Sequence, residues 1–418
     1  MDSGANGRAP FSPAGEPEFL AAARRIGEDL LATARELPDG SLTWGRGAGR
    51  DQQPVADSGP FNGRCGEALL LAALAAATGE ETWARACSQV LLTLRRGLPD
   101  AGYRERLATE VTLGLSGLAG ILYCLVRIAG LLDRPELIDD ARRVAALLTP
   151  ERIEGDYQYD VIWGNAGVLL ALLALDAAGD EEAVAGAELC GRHLLAHRKP
   201  DPVSGLRAWP TLRAVPSSGF AHGASGIAHA LLALHRRTAD DAFYDAALEA
   251  FAFERTLLHE DPPRRWEDSR VEPAGVPRMW SWCHGAPGIA LARLGSVDLL
   301  REGDEGPVVA DLREALQQSI HARVPGVDTI CCGYFGRIEV LIEAGRVLGN
   351  ESLALNARQL ARQRLGRAAA KDGFLLNDIE PTVEAHLWPG LWQGLGGSAY
   401  SLLRLTDPER FPCILTMA

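Results

Sequence analysis

The chain has 418 residues, 47% of them apolar, enough to bury one large core or several average ones. With 42 Lys+Arg against 55 Asp+Glu its formal charge is −13, which excludes a nucleic acid or an anionic membrane held by bulk positive charge. Eight scattered cysteines are too few for a disulfide scaffold, and Met1–Pro10 carries no apolar signal stretch, so reduced thiols in a cytoplasmic protein are expected.

In chain order, Met1–Glu16 is rich in Gly and Pro and is expected to be a mobile N-terminal segment before one domain over 17–418. Pro17–Leu37 reads as an amphipathic helix, and a second Gly/Pro-rich stretch, Gly45–Pro60, follows it. Then one element recurs seven times: Gly-x-x-Gly followed at once by an apolar helical run. The pairs are Gly63/Gly66, Gly114/Gly117, Gly164/Gly167, Gly223/Gly226, Gly285/Gly288, Gly333/Gly336 and Gly394/Gly397. Between them lie charged amphipathic segments: Glu81–Leu98, Pro135–Leu148, Asp180–His197, Asp240–His259, Pro307–Val324 and Glu351–Arg367. The longest apolar runs, Ala68–Thr78 and Val168–Leu175, are too short to span a bilayer.

Seven apolar and seven amphipathic helices in alternation predict an all-α fold, an α/α toroid of seven inner and seven outer helices with all the glycine turns around one mouth. A residue without Cβ permits tight turns and close backbone approach there. It also leaves helix N-terminal amides open to anions and thiolates. Plain packing at crowded crossings is the other reading of these glycines.

The residues just before the glycine pairs should converge at the mouth. They include Trp163, His222, Cys283–His284 and Cys331–Cys332. Cys283 and the Cys331–Cys332 pair occupy equivalent places on adjacent repeats, so the toroid gathers three thiols. Three soft ligands suit Zn²⁺ and leave its fourth position open, as in catalytic sites. A redox pair would use Cys331 and Cys332 but leave Cys283 unexplained. The other cysteines read as small buried apolar groups. The tryptophans 163, 280, 282, 388 and 392 lie near the turns, as core or as the wall of a peptide groove.

Trp282-Cys283-His284-Gly285-Ala-Pro-Gly288 followed by Cys331-Cys332-Gly333 resembles the lanthipeptide (lantibiotic) cyclases of the LanC-like family. Gly394–Leu405 with Asp407-Pro408 is similar to the end of that family's domain. The stand-alone cyclases usually carry Cys-His-Gly at the second motif; Cys-Cys-Gly is similar to the cyclase domain of the bifunctional class II synthetases.

The resemblance implies a zinc enzyme that adds peptide Cys thiols to dehydroalanine or dehydrobutyrine, forming thioether rings. It implies His222 as the acid that protonates the enolate and a candidate base for the incoming thiol, with Asp160 orienting it. His284 is a second proton-transfer candidate, and Arg278 lies where relatives carry a functional arginine. The implied partners are a dehydrated precursor peptide and a separate dehydratase, since no further domain fits in the chain. Two alternatives stay open: addition of another thiol, such as glutathione, to dehydroamino acids, and a non-catalytic scaffold that binds a peptide.

Overall fold

The computed structural model describes residues 17–44, 58–61, 63–212, 214–259, 264–266, 280–321, 326–371, 373–376 and 388–417. Met1–Glu16 and most of the Gly45–Pro60 stretch lie outside the described residues. Each glycine-led run is a helix: α2 (Arg64–Thr78), α5 (Leu118–Leu132), α8 (Asn165–Ala177), α10 (Ala224–Thr238), α12 (Ala286–Leu294), α14 (Tyr334–Val347) and α16 (Leu395–Thr406). These seven contact one another in sequence, and α16 returns to α2, so the inner ring closes. Its helices are apolar around nearly their whole circumference because neighbours surround them: Leu118–Val126 of α5 is buried without interruption.

The amphipathic segments form the outer layer: α1 (Pro17–Thr33), α3 (Glu81–Gly97), α6 (Glu136–Ala145), α9 (Ala183–Ala196), α11 (Asp241–Thr256), α13 (Glu305–His321) and α15 (Glu351–Ala370). Each buries one stripe, as α3 does through Trp83, Cys87, Val90, Leu91 and Leu94. Six of them pack on the inner helix that precedes them, while α1 packs on α16. The first helix therefore completes the last hairpin. The expected toroid of seven inner and seven outer helices is the observed architecture. No helix among the described residues is long and apolar enough to cross a membrane.

Two short helices, α4 (Ala101–Glu110) and α7 (Pro150–Glu154), add to the expected set. So do three two-stranded antiparallel hairpins: β1 (Arg35–Glu36) with β2 (Leu42–Thr43), β3 (Lys199–Pro200) with β4 (Arg207–Ala208), and β5 (Leu258–His259) with β6 (Arg265–Trp266). Each follows an outer helix and carries a tryptophan at its end. Trp44 donates its indole N–H to Leu30 O at 2.7 Å and Trp209 to Leu194 O at 2.8 Å. Both acceptors are last-turn carbonyls that a helix leaves unsatisfied.

The glycine turns lie at one end of the ring and are stitched to one another through backbone. Leu115 N–H bonds Val161 O, Val161 N–H bonds Ala221 O, Phe220 N–H bonds Trp282 O, Cys331 N–H bonds Trp392 O, and Trp392 N–H bonds Phe61 O. Close approach is what demands glycine. A Cβ on Gly226 would fall 1.9 Å from Phe220 O, and one on Gly288 would fall 2.1 Å from Trp282 O. The first helical amide is taken up by the chain's own loop, as Ala224 N–H is by Ser217 O and Tyr334 N–H by Val327 O. Packing, rather than anion binding, accounts for these glycines.

One register differs from the sequence expectation. Helix α5 starts at Leu118 with Gly117 as its N-cap, so the second repeat's pair is Gly117/Gly120 instead of Gly114/Gly117. Gly114 packs one step earlier, against the Ile162–Gly164 turn.

Candidate metal centre

Cys283 stands two residues before the N-cap of α12, and Cys331–Cys332 directly precede the N-cap of α14. Because α12 and α14 are neighbours in the ring, their turns bring the three thiols within 4.8 Å of one another. The Cys283 and Cys331 sulfurs are 2.8 Å apart, and those of Cys331 and Cys332 are 3.3 Å apart. Cys283 and Cys331 are buried, while Cys332 is half-buried and faces the mouth.

Its hydrogen bonds with Cys283 and Cys332, and then burial, hold the Cys331 thiol well above its usual range. A packed thiol cluster cannot ionise alone, because each thiolate repels the next in a poorly solvated place. A divalent cation removes that barrier. Zinc–sulfur bonds of about 2.3 Å in a tetrahedron need sulfurs about 3.8 Å apart. The two shorter separations, 2.8 and 3.3 Å, lie below that value, all three sulfurs lie within 4.8 Å, and thiolate donors suit zinc. The donor set fits the ion.

The remaining cysteines behave otherwise. Cys65, Cys87, Cys124, Cys190 and Cys413 are buried in the core, where Cys190 also touches Asn165 and Cys413 touches Glu339. Burial pushes the thiols of Cys87 and Cys413 up to about 12, with Glu339 and Glu343 adding to the rise at Cys413. They are packing residues, as the sequence suggested.

On the adjoining turns His222 and Asp160 meet. His222 Nδ1 lies 2.7 Å from Asp160 Oδ2, and Asp160 Oδ1 accepts the Trp163 N–H at 2.7 Å. Asp160 is wholly buried, whereas the His222 side chain keeps 13% exposure. With Nδ1 turned to a carboxylate, Nε2 is the ring nitrogen left for proton exchange. Trp163 packs on the imidazole at 4.6 Å between ring centres. The His284 ring stacks on the same imidazole at 5.3 Å and 17°. His284 directly follows Cys283, so the stack leads from the thiol cluster to the His222–Asp160 pair. Arg278 lies outside the described residues.

Several supporting groups were not singled out in the sequence. Tyr159 has φ +62°, a backbone conformation unfavourable for a residue with a Cβ, and it directly precedes Asp160. The strain is held by Asp156, whose buried carboxylate accepts the N–H groups of Gln158, Tyr159 and Asn165. The Tyr159 ring rests against His193 of α9 and His197, the C-cap of that helix. Asp328, three residues before Cys331, is wholly buried and is gripped by Arg364 at 2.6 Å and Arg367 at 3.0 Å. Each of these turns is thus braced from behind by a buried carboxylate. Of the tryptophans, Trp282 and Trp392 are core, while Trp163, Trp280 and Trp388 are half-buried at the mouth.

A family model described as "Lanthionine synthetase C-like protein" matches residues 55–416. Among solved structures, nisin cyclase superposes with a TM-score of 0.67 at 18% identity, covering 96% of this chain and 98% of that one. At this identity the likeness speaks for the fold. A GH76 α-mannanase from Bacteroides thetaiotaomicron (TM-score 0.47, 12% identity, 70% of this chain and 86% of that one) is more distant. So is cellobiose 2-epimerase from Bacillus thermoamylovorans (TM-score 0.41, 11% identity, 75% and 89%), and neither bears on the chemistry.

Proposed function

We propose, from the premise that this chain belongs to the lanthionine synthetase C-like family, that it closes thioether rings by adding peptide cysteine thiols to dehydroalanine or dehydrobutyrine. The observation that carries this reading is the convergence of three thiols within 4.8 Å at the mouth, beside a histidine–carboxylate pair. Cys283, Cys331 and Cys332 would hold Zn²⁺, which when bound favours the thiolate of a coordinating thiol and offers a fourth position to the substrate.

In the addition, a sulfur–Cβ bond forms as the Cα=Cβ π bond breaks, and the electron pair passes to Cα as an enolate. The thiol loses a proton and Cα gains one. His222, through Nε2, is assigned the protonation of Cα and, in the reverse sense, removal of the thiol proton. Asp160 fixes the ring so that Nε2 points to the reaction and offsets the charge of the imidazolium. His284, stacked on His222, is the second proton-transfer group, and Arg278 is retained as a candidate from its place in the sequence alone. The half-buried tryptophans at the mouth suit an apolar peptide wall.

The alkene must already be present in the substrate, so a separate dehydratase acts first on the precursor peptide. Reduced thiols on enzyme and substrate fit a cytoplasmic setting. The test is incubation of the zinc-loaded protein with a synthetic peptide carrying one cysteine and one dehydroalanine, with glutathione present. Ring closure consumes the free thiol at constant mass. Gain of one glutathione instead would transfer the chemistry to an external thiol, and no change in either would leave the scaffold reading.

A further inference from the structure

Glu254 of α11 and Arg293 of α12 form an ion pair at 2.8 Å in which both side chains are completely buried. Such a pair seldom stabilises a fold more than apolar packing would, because both charges must be stripped of water. What it holds is therefore informative. One carboxylate oxygen of Glu254 accepts the Gly219 N–H at 2.7 Å. The other accepts the Ser225 hydroxyl at 2.5 Å and the Arg293 guanidinium. Arg293 also donates to Ser225 Oγ at 3.0 Å and to Asp311 Oδ2 at 3.2 Å, and it lies 3.7 Å over the Phe251 ring. Asp311 is fixed in turn by two bonds from Arg255.

Gly219 and Ser225 flank His222 on both sides. Gly219 has φ +100°, and a Cβ there would fall 2.3 Å from Cys283 O and 2.7 Å from His284 Cα. The residue held by Glu254 is thus pressed against the backbone of the thiol-bearing turn. Arg293 belongs to the helix that this same turn opens. A single buried pair ties the histidine turn, the cysteine turn and two outer helices into one rigid unit.

We propose that Glu254 and Arg293 are positioning residues that set the separation between His222 and the Cys283–His284 end of the thiol cluster. Neither touches the reacting atoms. The kinetic part of this inference rests on the proposed cyclisation, while its structural part does not.

The experiment compares full-length, zinc-loaded wild type with Glu254→Ala, Glu254→Gln and Ser225→Ala. Asp140→Asn serves as control, since Asp140 is a buried carboxylate bridged to Arg95 and Arg143 on outer helices. Hydrogen exchange of the resting proteins is read over 217–226 and 281–288, and kcat and KM on the cysteine–dehydroalanine peptide. In Glu254→Ala, exchange should rise in both segments together, and kcat should fall about 10- to 100-fold with KM within about twofold, as misplacement of a reacting group predicts. Glutamine, which can still accept the Gly219 N–H, should restore most of kcat. Ser225→Ala, losing only a hydroxyl, keeps the test available if the larger change unfolds the chain, and should lower kcat about threefold.

A kcat loss in Glu254→Ala no greater than in Asp140→Asn, a rise in KM instead, or faster exchange spread evenly over the chain would overturn the proposal. Failure of the wild type to cyclise the peptide would sink the functional reading and leave the exchange experiment to decide the positioning on its own.

Discussion

The two ends of the inner ring solve the same problem in opposite ways. At the mouth, helix N-termini crowd together and polar side chains are left facing one another and the solvent. At the far end the chain's own tail fills the ring. Phe411, Cys413, Ile414, Leu415 and Met417 are buried there, and Arg404 bonds Phe411 O, Glu339 and Glu343. The Arg404 charge is fully matched, and its pairing with Glu339 and Glu343 raises it well above its usual range, against the effect of burial. Beside the tail a cavity of ≈ 480 Å³ is lined by His229, Arg236, Glu343, Arg346 and Thr416. The cations in that cavity already have anionic partners, Asp298 and Glu343.

At the mouth, by contrast, Cys331 is surrounded by two more thiols, those of Cys283 and Cys332. The mouth is set apart by its donors, three thiols beside a histidine–carboxylate pair.

If this division is right, the two ends should fail differently. Replacing His222 by alanine should lower kcat about 10²- to 10⁴-fold at unchanged metal content, the range for loss of a general acid. Metal analysis beside steady-state kinetics checks it. Replacing Arg404 by alanine strands Glu339 and Glu343 and should cost about 3–5 kcal/mol in urea unfolding. The surviving folded fraction should bind metal normally; loss of metal in step with stability would merge the two ends.

His229, beside the tail, gives a pH test. Burial lowers its imidazole from the ordinary 6.5 to about 4, so it is neutral in the folded protein. Below pH 6.5 the unfolded chain takes up the proton first. Stability is therefore complete above that pH and is lost as pH falls toward 4, by about 3 kcal/mol at the limit. His229→Gln should flatten the slope of unfolding free energy between pH 6.5 and 4, whereas an unchanged slope would contradict the assignment.

The smallest effect probes the link between the ends. Trp282, just before Cys283, donates its indole N–H to Leu415 O at 3.1 Å. Trp282→Phe keeps the packing and should lower stability by about 1 kcal/mol without loss of metal.

The fold was legible because its signal is periodic: a glycine pair before an apolar helix, repeated until the ring closes. The second repeat was misread by three residues because Gly114, Gly117 and Gly120 make two overlapping pairs, and only the helix start decides between them. The hairpins were missed although Leu-Thr-Trp44, Arg-Ala-Trp209 and Arg-Arg-Trp266 mark them, since two-residue strands leave no alternation to detect.

The cysteines could be read because they stand beside the glycine pairs. Glu254 could not. In the run Glu-Ala-Phe-Ala-Phe-Glu254-Arg it looks like one more acid on a charged face, and its burial follows from how α11, α12 and α13 pack together. The strain at Tyr159 has no sequence mark either, because tyrosine does not ordinarily take that conformation.

The chemistry of the mouth depends on the three thiols acting as one ligand set. The most direct measurement is metal content by native mass spectrometry on reduced wild type purified without chelator, beside Cys331→Ser/Cys332→Ser. One zinc per chain in the wild type and none in the folded double variant is the predicted result. A metal-free wild type, or zinc retained by the double variant, would contradict it.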